Sequence, residues 1–479
     1  MLAAPAIATE DIERVYGSDQ DVIGLATGTN HFLATAPAVA TVITSKDIER
    51  LGATTVAEVL ETVPGLHVST ERAISDIFVV RGFFHPFNPH ILVLINGIPL
   101  NDVTSSGRPQ AWSMPVHNIS KIEVLRGPGS ALYGADAFSG VVNILTKTAQ
   151  DIRNSEAGLY TGSFDTAGAW VLYGQKNSSL EGVLSLETTT TNGYSSTVWA
   201  DQQTRLDRLL GTSASLAPGP LYTGREDINA RIDLAQPDRW RFRAAYQGFH
   251  DVGTGAGLGL ALDPSGALNV ALTSADFTYT LSLPKFWEGD AQASYLHTDT
   301  EADITHLPPG TFRGLFPDGI RNDFIYKVDQ FRLGSTLQYS GFSRHRLRLG
   351  AGVNYTTVDT SEKVNYLTTP AGQIIPAGRF ADTGELGIDK ALPDVDRTLV
   401  YGFVQDEWRL SPDWHLTVGA RIDHYSDFGT TVNPRLALVW NRTPDVVFKM
   451  LYGRAFRAPS FFDLYGKSPF VLVGNSAIR

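Results

Sequence analysis

The stretch KIEVLRGPGSALYGADAFSGVVNILTK, Lys121 to Lys147, sets two apolar β-rich runs around a glycine-rich centre. Such a centre cradles a phosphate when a strand leads into G-x-x-x-x-G-K-[ST] and a helix follows, because backbone N–H groups and the lysine then converge on the anion. Gly129 and Gly134 have that spacing, but Ala135 and Asp136 stand where the lysine and the hydroxyl belong. An aspartate repels a phosphate and argues against that reading; the alternative is a compact, turn-rich piece that has to fit inside another structure, and the rest of the chain has to decide. His85 and His90, in FFHPFNPH, lie five residues apart in a proline-bearing loop and match no recognised metal or haem spacing. No nucleophile–base constellation and no acid pair stands out, so no enzymatic activity, cofactor or bound metal is expected. The absence of cysteine excludes disulfides, thiolate metal sites and cysteine nucleophiles.

A formal charge of -11 and a pI near 5.5 argue against a nucleic-acid partner. Forty-five glycines and 10% aromatics suit a chain of many strands and turns. The start, MLAAPAIATE, lacks a basic n-region, although AIA resembles the tail of a cleaved export signal. No run of about 18 apolar residues occurs, so no transmembrane helix is expected, and a barrel of alternating strands is left as the way across a bilayer.

The elements that position these residues fall into two textures. Residues 1–35 are polar, glycine-dotted and read as mobile. Residues 36–149 read as a compact α+β unit: a strand over Ala38–Thr44, then a helical turn KDIERL capped by Ser45 and stopped at Gly52. Thr55 and Glu58 form a capping box, Val56, Val59, Leu60 and Val63 share one helical face, and Pro64-Gly65 end the helix. The strand runs DIFVVRG, HILVLING and KIEVLRG follow, with 76–82 and 90–96 read as a hairpin.

From about residue 150 no helix is expected, and the apolar period becomes two. In WHLTVGARIDHY, Trp414, Leu416, Val418, Ala420 and Ile422 point one way, and His415, Thr417, Arg421 and Asp423 the other. RLRLGAGVNY, RWRFRAAY and FRLGSTLQY alternate in the same way. About a dozen such runs of roughly 9–14 residues exceed the usual soluble strand of about 5–6. Aromatics recur near their ends, as girdles do at membrane interfaces. Short turns alternate with long loops at 192–225, 250–274, 299–327 and 359–396. The fold class is mainly β: an antiparallel transmembrane β-barrel over 150–479 with a small α+β domain, 36–149, inside it.

IEVLRGPGSALYG followed by GVVNILTK, with AVATVITSKDIERLGATTVAEVLETVPGLHV, VVRG and VLINGIPL upstream, resembles the plug domain of TonB-dependent outer-membrane receptors in order and spacing. VYGFVQDEWRL and LYGRAFRAPSFFDLY look like recurring segments of the family's barrel. The plug-forming residues so implied are Arg81, Gly82, Asn96, Gly97, Arg126, Gly127, Pro128, Gly129, Tyr133, Gly134, Gly140 and Asn143. Glycines there let the backbone turn against a wall without a Cβ penalty, and Arg126 would pair with acidic groups on that wall. DVIGLAT, that is Asp21, Val22, Ile23, Gly24, Leu25, Ala26 and Thr27, sits where the family carries its TonB box, a segment that adds as a strand to TonB. Gly24 departs from the usual β-branched run. About 13 strands can be placed against the roughly 22 of a plugged transporter, and Ser476 stands where proline is usual, so a C-terminally truncated fragment is expected.

The resemblance implies energised uptake of a scarce large solute across the outer membrane of a Gram-negative bacterium, most often a ferric siderophore. Cobalamin, haem or an oligosaccharide are the alternatives within the family; a glycan-active soluble enzyme or a passive porin or adhesin are those outside it. The implied partners are TonB with its inner-membrane complex, a metal chelate and outer-membrane lipid, with no nucleic acid and a monomeric receptor. The expected ligand-facing residues are Arg72, Asp102, Ser105, Arg108, Gln110 and Trp112. His85 and His90 are placed on the opposite side.

Overall fold

The computed structural model describes residues 22–478, apart from 72–74, 86, 88, 153–154, 178, 258, 366–379, 386, 444–445 and 469–471. Asp21 and Arg72 therefore lie outside the described residues.

The first unit comprises β1 (Ala40–Thr44), α1 (Ser45–Leu51), α2 (Val56–Glu61), β2 (Leu66–Glu71), β3 (Ser75–Val80), β4 (Ile91–Ile95), β5 (Ile98–Pro99), β6 (Ile119–Arg126), α3 (Ser130–Tyr133) and β7 (Gly140–Thr146). Helix α1 is capped by Thr44 rather than Ser45. The reciprocal bond needs an acid three residues on, which is Asp47 counted from Thr44 and an isoleucine counted from Ser45. Gly52 closes the helix at φ 66°, and the Thr55–Glu58 box opens α2.

Five strands form one sheet in the order β1-β6-β7-β4-β5, with only β4 and β7 parallel. The expected 76–82/90–96 hairpin does not form: β3 pairs with β2, and β4 pairs with β7 and β5. A three-residue connection closes β2 on β3 far more readily than the longer one from β3 to β4. Strand β4 moreover has Ile91, Leu92, Val93 and Leu94 all buried, the pattern of a strand covered on both faces. One face packs Ile122, Val124, Val142 and Ile144 on Val56, Val59, Leu60 and Val63 of the α2 region. The other packs Leu92, Leu94, Leu125 and Val141 on Ile23, Leu25 and Ala26. Residues 22–35, expected to be mobile, are thus half of a core, because without them that sheet face would be bare.

The second unit is an antiparallel meander. Its strands are β8 (Glu156–Gly162), β9 (Thr166–Lys176), β10 (Glu181–Thr191), β11 (Arg225–Gln236), β12 (Trp240–Gly253), β13 (Ala267–Thr280) and β14 (Trp287–Leu307). It continues through β15 (Ile320–Tyr339), β16 (His345–Val364), β17 (Val395–Arg409), β18 (Trp414–Tyr425), β19 (Gly429–Thr443) and β20 (Val446–Gly453). They pair in chain order, with a two-residue strand at Ala381–Asp382 beside β16, and among the described residues β8 and β20 do not meet. Burial is inverted relative to a soluble sheet. On β18 Thr417, Arg421 and Asp423 are buried, while Val418 and Ile422 are 46% and 51% exposed. On β15 Gln330 is buried and Phe331 and Leu333 are exposed. An apolar face turned outward is stable only where lipid is the solvent.

Aromatic rows mark the edges of that band. Tyr295, Phe331 and Tyr355 stand in one cross-strand row, and Trp287 packs on Tyr339 at 4.9 Å eight residues down β15. Eight residues span about 26 Å along a strand, roughly 20 Å across the bilayer once tilted. Beyond the upper row β14 and β15 continue, so the loops expected at 250–274 and 299–327 shrink to 254–266 and 308–319. Outside lipid the outward positions carry His297, Asp299, Glu301 and Asp303, and the two-residue apolar period vanishes although the ladder runs on. Loop 192–224 also holds an unexpected helix, α4 (Gln202–Leu210), started by an Asp201–Thr204 capping box and stopped at Gly211. A shorter one, α5 (Phe461–Tyr465), follows Ser460.

Candidate functional site

The globule lies against the polar face of the meander, and two regions of contact matter: one at the short-turn end and one at the long-loop end. The first is built on Val22–Thr27. Val22 and Ile23 pair with Phe32 and His31, and the chain then turns across β6. Gly24 N and Leu25 N donate to the two carboxylate oxygens of Glu123, at 3.2 and 3.0 Å, and Lys121 pairs with the same group at 2.8 Å. Tyr133 Oη donates to Leu25 O at 2.8 Å. The wall supplies the rest. Arg435 Nη1 donates to Ala26 O at 2.6 Å, Arg348 Nη1 and Gln405 Nε2 donate to Thr27 O at 2.8 and 3.2 Å, and Glu407 engages Thr29 and His31. Main-chain groups that strand addition to a partner would use, among them Gly24 N, Leu25 N and O, Ala26 O and Thr27 O, are thus occupied. Burial pushes the Tyr133 phenol up to about 12, so it remains a donor.

The glycine-rich centre serves the same packing. Gly134 sits at φ 78°, and a Cβ there would stand 3.0 Å from Arg421 Nη2 of the wall. A Cβ on Gly140 would be 2.7 Å from Leu125 O, across the β6–β7 ladder. Asn96 and Gly97, both with positive φ, form the β4–β5 turn. That turn is clamped by Gly97 N donating to Asn143 Oδ1 at 3.0 Å and by Asn96 bonding Thr146. Arg81 and Gly82 make a similar turn after β3. Among the described residues Arg126 meets no acid on the wall: it donates to Pro64 O and Thr41 Oγ1 within the globule, because the Gly127 turn directs it back over β1.

At the long-loop end, Asn101–Trp112 is tucked between globule and wall rather than set on an open rim. Asp102 accepts from Thr104 and Ser105 and organises the loop, and burial raises its carboxyl above the usual range. Arg108 is 8% exposed, donates to Asp76 O, and lies 3.7 Å over the Phe78 ring. Burial pushes it down to about 10, still cationic at neutral pH. Trp112 is 3% exposed and donates to Gln247 Oε1 at 3.3 Å. Ser105 is buried and Gln110 half-buried. Trp112 bonds the wall and Asp102, Ser105 and Arg108 bond within the globule, so the ligand-facing role expected of them is not supported by their placement.

His85 and His90 lie at this same long-loop end, not the opposite one, as the altered strand pairing requires. Their rings are 5.8 Å apart, both are pushed toward the neutral form by burial, and Arg457 bears on both, with Asp463 also acting on His85. Between plug and wall a cavity of about 90 Å³ is lined by Asn101, Asp136, Arg332, Arg397, Arg421 and Tyr425, among others. Arg332 Nη2 donates to Asn101 Oδ1 at 3.0 Å, and Arg421 Nη1 donates to Leu132 O at 3.1 Å while pairing with Asp423 at 2.8 Å. Arg397 pairs with Asp427 at 2.7 Å. None of these was singled out as a site residue, although Arg421 and Asp423 fall on the polar side of the WHLTVGARIDHY alternation. A wall arginine facing a plug is visible in sequence only as the polar half of a two-residue period.

A plug seated on the polar face of an outward-apolar strand meander defines a plugged outer-membrane barrel. Residues 33–141 match the TonB-dependent Receptor Plug Domain family, and residues 136–478 match the TonB dependent receptor-like, beta-barrel family. The chain belongs to the TonB-dependent receptors, outer-membrane receptors and transporters rather than an enzyme family. It is 24% identical over 489 residues to an iron-regulated outer membrane virulence protein of Vibrio cholerae, covering 97% of this chain and 63% of the relative. A 157-residue segment, 32% of this chain and 25% of the relative, is 36% identical to the vitamin B12 transporter BtuB of Vibrio vulnificus. Among solved structures, the ferripyoverdine receptor of the Pseudomonas aeruginosa outer membrane shares the fold at a TM-score of 0.68 and 14% identity, over 92% of this chain and 60% of that one. The siderophore receptor PirA of Acinetobacter baumannii does so at 0.64 and 16%, over 90% and 64%. The chain thus spans under two thirds of the length of these full-coverage relatives.

Proposed function

We propose that this protein works in TonB-energised uptake of a ferric siderophore. The observation that carries the reading is the Val22–Thr27 segment, held at the short-turn end by Glu123, Tyr133, Arg348, Gln405 and Arg435. A segment with the backbone of a strand donor, fastened by a few side chains, suits a coupling sequence that is offered to TonB only when those fastenings loosen. The physical need is clear: nanomolar capture stores about 12 kcal/mol, and release into the periplasm requires work that TonB, drawing on the inner-membrane proton gradient, delivers. The assignment of Asp21–Thr27 as the TonB box is part of this proposal. Iron-regulated and siderophore-receptor relatives support a ferric chelate as cargo. Cobalamin is the second reading, favoured by the 36% identical segment shared with a vitamin B12 transporter.

The test is growth of a receptor-deficient strain carrying the complete gene, under iron limitation with a panel of siderophores and, separately, under cobalamin dependence. Rescue by a siderophore that is lost on deleting tonB is the expected result. Rescue by cobalamin alone selects the second reading, and rescue independent of tonB removes both.

A further inference from the structure

At the short-turn end the lumen opens into a vestibule of about 510 Å³, between the wall and the His31–Pro37 part of the N-terminal segment. That volume falls in the range of small-molecule sites, about 300–1,000 Å³. Its charged lining is one-sided. Arg344, Arg346, Arg409, His31 and His415 face it, against a single carboxylate, Glu407. His345, at its edge, is engaged by Asp406 at 2.7 Å.

The register explains why these charges stand together. Arg346 is directly opposite Glu407, which is opposite Thr417; one row further out, Arg409 is directly opposite His415, which is opposite Val439. Directly opposed side chains sit about 4.5–5.5 Å apart, so Arg346 has Glu407 within reach whereas Arg409 faces only an imidazole. Glu407 is already taken by His31, at 3.0 Å, and by Thr29. Among the described residues Arg409 meets no carboxylate. Arg344 forms no ion pair among the described residues and stands in the adjoining 340–344 turn, while Arg409 Nη2 donates to Ser343 O of that turn at 3.3 Å. Three guanidiniums thus surround a concave space with one carboxylate between them.

We propose that this vestibule is a binding site for a small polyanion of the polycarboxylate or catecholate metal-chelate class, occupied on the periplasmic side of the plug. The identity of the cargo rests on the uptake reading above; the charge arrangement does not. An anion here bridges Arg409 and Arg344, neither of which has a carboxylate partner among the described residues. It also competes with Glu407 for His31, which ties occupancy to the hold on the N-terminal segment.

Residues 1–479 contain no cysteine, so Ser343→Cys, in full-length receptor with any cysteine elsewhere replaced by serine and purified in detergent, places one labelling site in the vestibule turn. With an environment-sensitive fluorophore there, citrate and ferric citrate should each give a saturable signal. Arg344→Glu with Arg409→Glu should weaken it at least tenfold, and Arg344→Gln with Arg409→Gln should weaken it less. A melting profile unchanged from the parent shows that the glutamine pair remains folded. No signal, or equal affinity in the charge-reversed pair, overturns the proposal. So does a glutamate-rich decapeptide that binds more tightly than citrate, which would make the vestibule a protein-docking surface. Because the assay needs no TonB, a vestibule that binds while uptake fails counts against the uptake reading alone. Uptake that survives with a silent reporter counts against the vestibule alone.

Discussion

Tyr133 Oη donates to the main-chain oxygen of Leu25 at 2.8 Å, joining the glycine-rich turn of the plug to the segment proposed to meet TonB. Tyr133 ends α3, whose Leu132 carbonyl is held by Arg421 of the wall, and Asp136 three residues on lines the cavity at the long-loop end. One short piece of backbone therefore touches the outer cavity, the wall and the N-terminal segment. Replacing Tyr133 by Phe leaves the ring and strands a buried carbonyl, at a cost of about 1–3 kcal/mol. In an Ala26→Cys background, the Tyr133→Phe variant should react with a thiol reagent roughly tenfold faster, as about 1.4 kcal/mol implies. Equal rates would show that the hydrogen bond does not restrain the segment.

Glu123 fastens the same segment from the other side. Its two oxygens accept from Gly24 N and Leu25 N while Lys121 balances the charge, and the residue is 2% exposed. A glutamine has one acceptor oxygen, so Glu123→Gln loses one of the two bonds and leaves Lys121 without its counter-charge. The expected loss is about 1–3 kcal/mol of plug stability, read as a lower denaturant midpoint for plug release with the barrel transition unmoved. An unchanged midpoint would mean that the apolar contacts of Ile23 and Leu25 hold the segment unaided.

Where local chemistry decides an element, it was legible in the sequence: the Thr55–Glu58 box, the Gly52 stop and the alternation of β18. What escaped were relations between distant residues. The partner of β3 depends on loop length and on β4 being covered from both sides, and neither appears within the β3 run itself. Glu123 reads as one polar residue in an apolar strand until Gly24 and Leu25 are laid across it. Arg332, Arg397 and Arg421 are polar halves of alternating runs, and only the presence of a plug gives them partners. The strand extensions above the bilayer were lost because outward residues there no longer need to be apolar.

Arg108 offers a test of the corrected placement. Its guanidinium stacks on Phe78, donates to Asp76 O, and is buried beside Trp112. Arg108→Ala removes the stacking and the hydrogen bond to Asp76 O, together about 2–4 kcal/mol. Thermal release of the plug should occur earlier, whereas the Kd for the cognate solute, measured on protein that remains folded, should change less than threefold. A large loss of affinity with normal plug stability would restore the ligand-facing role.

Asp136 should make plug docking depend on pH. Its carboxyl is 8% exposed, and burial pushes its pKa from 3.8 up to about 7, against the opposing pull of Arg397 and Arg457. A folded-state value above the unfolded one means that the folded protein holds the extra proton between those two pH values. Stability is then fully present below about pH 4, declines as pH rises, and reaches its floor above about pH 7. A shift of about three units corresponds to at most about 4 kcal/mol, and solvent reaching the cavity will reduce that. Asparagine cannot ionise and tolerates the left-handed φ of 67° found at this position. Asp136→Asn should therefore melt with the parent near pH 4 and several degrees above it near pH 8, measured on the plug transition in detergent. If the variant is the less stable of the two at pH 8, the ionised carboxylate is being stabilised by Arg397 and Arg457, and burial is not the dominant effect at this residue.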